Sequence, residues 1–119
     1  DWAAMPPGCD PCGVSRKMGP GSKRGERKRE SVRAIAKLLC DDLLPCTHSE
    51  TPTIVDAGCG TGSLLLPLAA LFPRATFVGV DVKPGSLARL LGRAEAAGED
   101  VARRVVAWEG RIEDYDGPC

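Results

Sequence analysis

The chain has 119 residues, 43% of them apolar and 27% charged, which suits one globular domain and excludes a wholly disordered chain. Sixteen Lys and Arg balance sixteen Asp and Glu, but by cancellation: residues 15–37 carry nine basic side chains against two acidic, and residues 41–119 carry seven against twelve. No apolar run approaches the ~18 residues that span a bilayer, and Asp1-Trp2-Ala3 followed by Pro6-Pro7-Gly8 is no targeting segment. The expectation is a cytoplasmic or nuclear chain with no membrane partner.

Residues 1–21 hold Pro6, Pro7, Pro11 and Pro20 among several glycines and show no periodicity, which predicts a flexible N-terminal segment ahead of a body over 22–119. Ser22–Leu44 then reads as a basic amphipathic helix. Val32, Ile35, Ala36, Leu39, Cys40 and Leu43 form one apolar stripe, Lys and Arg fill the other face, and Pro45 ends it. After a polar linker, Thr53–Asp56 reads as a strand, Ser63–Leu71 as a helix, and Thr76–Asp81 as a second strand. Ser86–Ala97 reads as a helix with Leu87, Leu90, Leu91 and Ala94 inward and Gly98 as its cap, and Val105–Trp108 as a third strand. Strands alternating with helices, each strand almost continuously apolar, predict an α/β fold with a parallel sheet covered on both faces.

Between the first strand and its helix lies Asp56-Ala57-Gly58-Cys59-Gly60-Thr61-Gly62. A glycine-rich turn at the carboxyl end of a strand is where an open α/β sheet binds its ligand, because glycines let the backbone turn sharply and approach the ligand closely. A dinucleotide fingerprint would need its third glycine at position 63, which is Ser63. An acid beside the loop would also repel a pyrophosphate. The second strand ends in Val78-Gly79-Val80-Asp81, and a carboxylate there suits a ribose diol.

These two motifs resemble those of class I S-adenosylmethionine-dependent methyltransferases, and the resemblance runs over about Ser22–Asp116. It implies a Rossmann-like sheet and S-adenosylmethionine as cofactor. It places cofactor contacts at Asp56, Ala57, Gly58, Cys59, Gly60, Gly62, Asp81, Val82 and Ile112. Asp56 would serve the ammonium of the methionine moiety and Asp81 the ribose, with Ile112 packing on adenine. Arg111 stands where the family often has an acid for the adenine amino group, so Glu113 or Asp114 would have to replace it. The Lys/Arg-rich helix before the loop is also similar to a eukaryotic methyltransferase-like subgroup that includes the glutathione S-transferase C-terminal-domain-containing protein. A class I sheet has seven strands in the order 3-2-1-4-5-7-6, of which residues 52–119 supply three. The expectation is therefore the N-terminal, cofactor-binding part of a longer protein, with the acceptor-binding region elsewhere and no catalytic residue to name.

Lys23-Arg24-Gly25-Glu26-Arg27-Lys28-Arg29 reads either as a solvated helix face, which is favoured, or as a patch that guides RNA. Absence of interleaved aromatics argues against base stacking. Of six cysteines, Cys9-Asp10-Pro11-Cys12 has metal-ligand spacing that Cys40, Cys46 and His48 could complete. The irregular second pair favours free thiols and no metal. Cys59 lacks an evident base and reads as a small packing residue. Two rivals stand beside the methyltransferase reading: an NAD-dependent oxidoreductase, and a non-catalytic binding scaffold on the same fold.

Overall fold

The computed structural model describes residues 2–6, 8–13 and 23–118. Helix α1 spans Lys23–Leu38, and strand β1, Thr53–Ala57, follows. Then come α2 (Leu65–Leu71), β2 (Thr76–Asp81), α3 (Pro84–Ala97), α4 (Glu99–Arg104) and β3 (Val105–Glu109). The three strands are all parallel in the order β1-β2-β3. Parallel crossovers are right-handed as a rule, and two that step the same way set their helices over one face; residues of α2 and α3 accordingly share one cluster with Phe77 and Val105.

The pairing register sets Ile54, Phe77 and Val105 in one row and Val55, Val78 and Val106 in the next, on the opposite face. The first row joins the core with Leu65, Leu66, Leu68, Leu87 and Leu90. The second row is also apolar, with Val78 buried, Val55 half-buried and Val106 46% exposed, so this face is closed at β2 and open at β3.

Helix α1 is shorter than its apolar pattern. At Leu39–Leu43 the backbone widens to a π-turn in which the Leu44 N–H bonds the Leu39 carbonyl, and a 3₁₀ turn, Leu44–Cys46, carries the chain on. The wider turn breaks the 3.6-residue period. Val32 and Leu39 are buried as expected, but Cys40 and Leu43 leave the core and Leu44 packs against it instead. In α3, Leu87, Leu90 and Ala94 are buried, while Leu91 stays 40% exposed.

Two further differences have physical causes. The segment after Gly98 forms α4, with Glu99 and Asp100 in its first turn and Arg103 and Arg104 in its last, an arrangement that matches the helix dipole. Its Arg104 is buried and donates to the carbonyls of Ala69, Phe72 and Ala75 at 2.8–3.1 Å, holding the end of α2. The Pro/Gly-rich start is not a bare tail where it is described. It makes 3₁₀ turns at Trp2–Ala4 and Pro11–Gly13, and buries Cys9 and Cys12 fully or nearly so. Asp10 accepts from both Nε and NH2 of Arg29, and the Trp2 ring lies 5.0 Å under the same guanidinium. A bidentate ion pair with a stacked aromatic fixes this strap on α1. The remainder of residues 1–21, namely 1, 7 and 14–21, lies outside the described residues.

Candidate functional site

Strand β1 delivers the chain to a loop with three left-handed glycines, Gly58 (φ 70°), Gly60 (φ 57°) and Gly62 (φ 89°). The loop is sewn to β2 by backbone bonds. Gly58 and Cys59 N–H groups both donate to the Val80 carbonyl, at 2.7 and 3.1 Å. The Gly60 N–H donates to Asp81 Oδ2 at 2.9 Å, and the Lys83 N–H donates to Asp81 Oδ1 at 2.9 Å. Asp81 is thus the cap of the glycine loop as well as a candidate ligand group.

The glycines divide by what surrounds them. A Cβ on Gly58 or Gly60 would meet nothing within 4 Å, so these two keep the loop open to a ligand. A Cβ on Gly62 would run into Leu90 and Leu66, so this position packs the loop onto α2 and α3. Gly79, which carried no special reading in the sequence, does the same from β2: its absent Cβ would lie 2.7 Å from Cys59 Sγ.

Two clefts flank the loop and share Gly58. The first, about 640 Å³, runs from Asp56, Ala57, Cys59 and Gly60 across to Arg24 and Lys28 of α1. The second, about 270 Å³, is lined by Asp81, Val82, Gly110, Arg111, Ile112 and Glu113. Asp56, Ala57, Gly58, Cys59 and Gly60 therefore gather at one cleft, and Gly58, Asp81, Val82 and Ile112 at the other. Gly62 lines neither cleft and is buried against Leu66 and Leu90.

The two acids differ in state. Asp56 is half-buried, and its carboxylate accepts no hydrogen bond from the described residues. Burial pushes its pKa up, Lys28 opposes that shift, and Asp81 adds to it by repulsion. Asp81 is held below the usual carboxylate range by the N–H groups of Lys83 and Gly60. Burial, reinforced by Asp56 and Asp81, pushes the Cys59 thiol up to about 12. Cys59 is therefore protonated and packs rather than reacts.

Arg24 and Lys28 are the residues that sequence reasoning passed over as surface charge. Their i, i+4 spacing was the available signal, since it sets them on one helix face one turn apart. The basic run is not one patch: Arg24 and Lys28 line the first cleft, Arg29 is taken by Asp10 and Glu26, and Lys23 and Arg27 are exposed. At the second cleft Arg111 pairs with Glu113 at 2.5 Å, which occupies one of the two acids expected to serve an adenine. Cys40 and Cys46 are exposed while Cys9 and Cys12 are buried, and no cluster of three or more metal-ligating side chains occurs among the described residues.

An amino-acid zwitterion joined to a nucleoside fits this arrangement. The first cleft offers an unpartnered carboxylate for an ammonium and two cations for a carboxylate, and the second offers Asp81 for hydroxyls with Val82 and Ile112 for an apolar ring. Residues 55–118 match a family described as a methyltransferase domain. A tRNA (guanine-N(7)-)-methyltransferase of Rubrobacter xylanophilus is 46% identical over 48 residues, which is 40% of this chain and 22% of that protein. A release factor glutamine methyltransferase of Moorella thermoacetica is 32% identical over 82 residues, 69% of this chain and 27% of that protein. The chain thus spans about a quarter of the length of these curated relatives. Among solved structures, a geranyl diphosphate methyltransferase in complex with GPP and sinefungin superposes with a TM-score of 0.55 at 25% identity, over 70% of this chain and 29% of that one. A geranyl diphosphate C-methyltransferase from Streptomyces coelicolor gives 0.56 at 22% identity, over 88% and 40%, and shows the same fold.

Proposed function

Because the chain belongs to the methyltransferase domain family, we propose that it is the cofactor-binding part of an S-adenosylmethionine-dependent methyltransferase. The observation that carries this reading is Asp56, a half-buried carboxylate without a hydrogen bond among the described residues and facing Lys28 across a cleft. Such a group is costly unless a cation meets it, and the ammonium of the methionine moiety is that cation. Lys28 and Arg24 then take the methionine carboxylate. Asp81 has lone pairs left beyond its two backbone bonds and receives the ribose diol. Val82 and Ile112 supply the apolar contact for adenine.

When bound, the cofactor supplies a methyl group already activated on a sulfonium. What remains for the protein is binding and in-line positioning, with a base for some acceptors. Asp56, Asp81 and the glycine loop position the donor from two sides. The curated relatives act, by their names, on a tRNA guanine in one case and a release factor glutamine in the other. A donor-binding half of this kind therefore serves more than one acceptor class.

The test is calorimetric titration of the full-length protein with S-adenosylhomocysteine and, separately, with NADH. Binding of the first alone is expected, weakened about fivefold in Lys28→Gln, the scale of one partly exposed ion pair. Binding of NADH instead would replace this reading with an oxidoreductase. A folded protein that binds neither would be a scaffold.

RNA is the acceptor class the surface favours. Lys23 and Arg27 are exposed beside the cleft mouth formed by Arg24 and Lys28, and the Rubrobacter relative is by its name a tRNA methyltransferase. A Lys23→Gln/Arg27→Gln variant is expected to keep S-adenosylhomocysteine binding while losing tRNA affinity and part of its salt dependence. An unchanged tRNA affinity would make this face merely solvated.

A further inference from the structure

One side chain touches both the N-terminal strap and the glycine loop. Arg93, on α3, donates from NH1 to the Thr61 carbonyl at 2.7 Å and to Thr61 Oγ1 at 3.3 Å. From NH2 it donates to the Gly8 carbonyl at 2.6 Å. The guanidinium is thus a planar fork between two carbonyls 53 residues apart in sequence, Gly8 and Thr61. Its Nε is buried with no partner among the described residues. The strap end of this bridge is well anchored, since Cys9 is fully buried in the core and Asp10 is clamped by Arg29. At the loop end Thr61 sits between two left-handed glycines, and Arg93 holds both its carbonyl and its hydroxyl.

We propose that Arg93 is a positioning residue that couples docking of the strap, residues 2–6 and 8–13, to the conformation of the glycine loop, so that the docked strap favours cofactor binding. Undocking the strap removes the Gly8 acceptor from a half-buried cation. The guanidinium must then find another partner or water, and its bond to Thr61 changes with it. By reciprocity, whatever orders the glycine loop tightens the strap. The effect on the cofactor rests on the reading proposed above, but the strap–loop coupling in the free protein does not.

Hydrogen exchange on the full-length protein separates the two. The variants are Trp2→Ala, which loosens the strap where it meets Arg29 and Arg33 of α1, Arg93→Lys, which keeps the charge but not the fork, and their combination. Trp2→Ala is expected to speed exchange of the amides of residues 58–66 about fivefold or more, and to add nothing in the Arg93→Lys background. Exchange in β2 serves as the control for global unfolding. An equal effect of Trp2→Ala in both backgrounds, or none on the loop, would overturn the coupling. In a second arm, saturating S-adenosylhomocysteine is expected to slow iodoacetamide alkylation of Cys9 about fivefold in the parent protein and not in Arg93→Lys. Ligand that binds without slowing Cys9 alkylation would also overturn it. Ligand that fails to bind the parent protein would overturn the cofactor reading alone, and the exchange arm then decides the coupling.

Discussion

Asp56 and Asp81 stand at the carboxyl ends of two adjacent parallel strands, yet the fold treats them in opposite ways. Asp81 lies where the glycine loop and the start of α3 turn their N–H groups inward, and each of its oxygens accepts one. Asp56 lies within β1, in register with Gly79, and receives no such donor from the described residues. One carboxylate builds the loop, and its pKa falls. The other is held half-buried for something outside the chain to satisfy, and its pKa rises. Equal residue types at equivalent strand ends therefore do different work, and the supply of backbone N–H groups decides which.

The glycines offer the largest test of that division. Gly62→Ala forces a Cβ into Leu66 and Leu90 at a left-handed backbone position, and is expected to lower unfolding free energy by about 3 kcal/mol. Gly60→Ala meets open space and bears only the backbone strain, about 1 kcal/mol. Urea melts of the two variants measure the gap. Equal losses would mean that the loop has no inner and outer side.

Next in size is Asp81→Ala, which orphans the N–H groups of Gly60 and Lys83 and is expected to cost about 1–2 kcal/mol along with much of the cofactor affinity. The pH dependence has a definite sign. Because the native pKa is depressed, the contribution of Asp81 is complete above the ordinary carboxylate pKa and is lost as pH falls through the native value. The difference in stability between parent and variant should therefore shrink in acid. A variant that loses ligand but no stability would make Asp81 a pure ligand group.

Most of the frame was legible because it rests on local patterns. β2 has the expected bounds, Thr76–Asp81, and the glycine loop, its flanking acids and the cap at Gly98 lie where turn chemistry places them. The misses share a cause: tertiary contacts that local pattern does not encode. A stripe at i, i+3, i+4 cannot announce a π-turn, so Cys40 and Leu43 were assigned to the core in place of Leu44. Buried Arg104 and half-buried Arg93 find acceptors about thirty residues or more away, and each reads in sequence as surface charge. The strap over residues 2–6 and 8–13 is aperiodic, and it is fixed by burial of Cys9 and by the partners of Gly8 on α3 and of Asp10 and Trp2 on α1. The loop and strand-end residues that line the two clefts belong to the motif, whereas Arg24 and Lys28 belong to none and reach the first cleft through the packing of α1.

The smallest expected effect is also the most discriminating, because it carries opposite signs in two assays. Asp56 has a raised native pKa, so the native state binds its proton more readily than the unfolded chain does. At neutral pH the ionised group therefore subtracts from stability, and stability recovers as pH falls through the native value toward the ordinary carboxylate range. Asp56→Asn keeps the shape and removes the charge. It is expected to raise Tm by up to about 4 °C at neutral pH and to flatten the stability profile across that window. The same change should weaken S-adenosylhomocysteine binding about tenfold or more, the scale of one charge-assisted hydrogen bond. Asp81→Ala lowers both quantities, and Asp56→Asn raises one while lowering the other. A fall in Tm for Asp56→Asn would make this acid a structural partner like Asp81, and the contrast between the two strand ends would collapse.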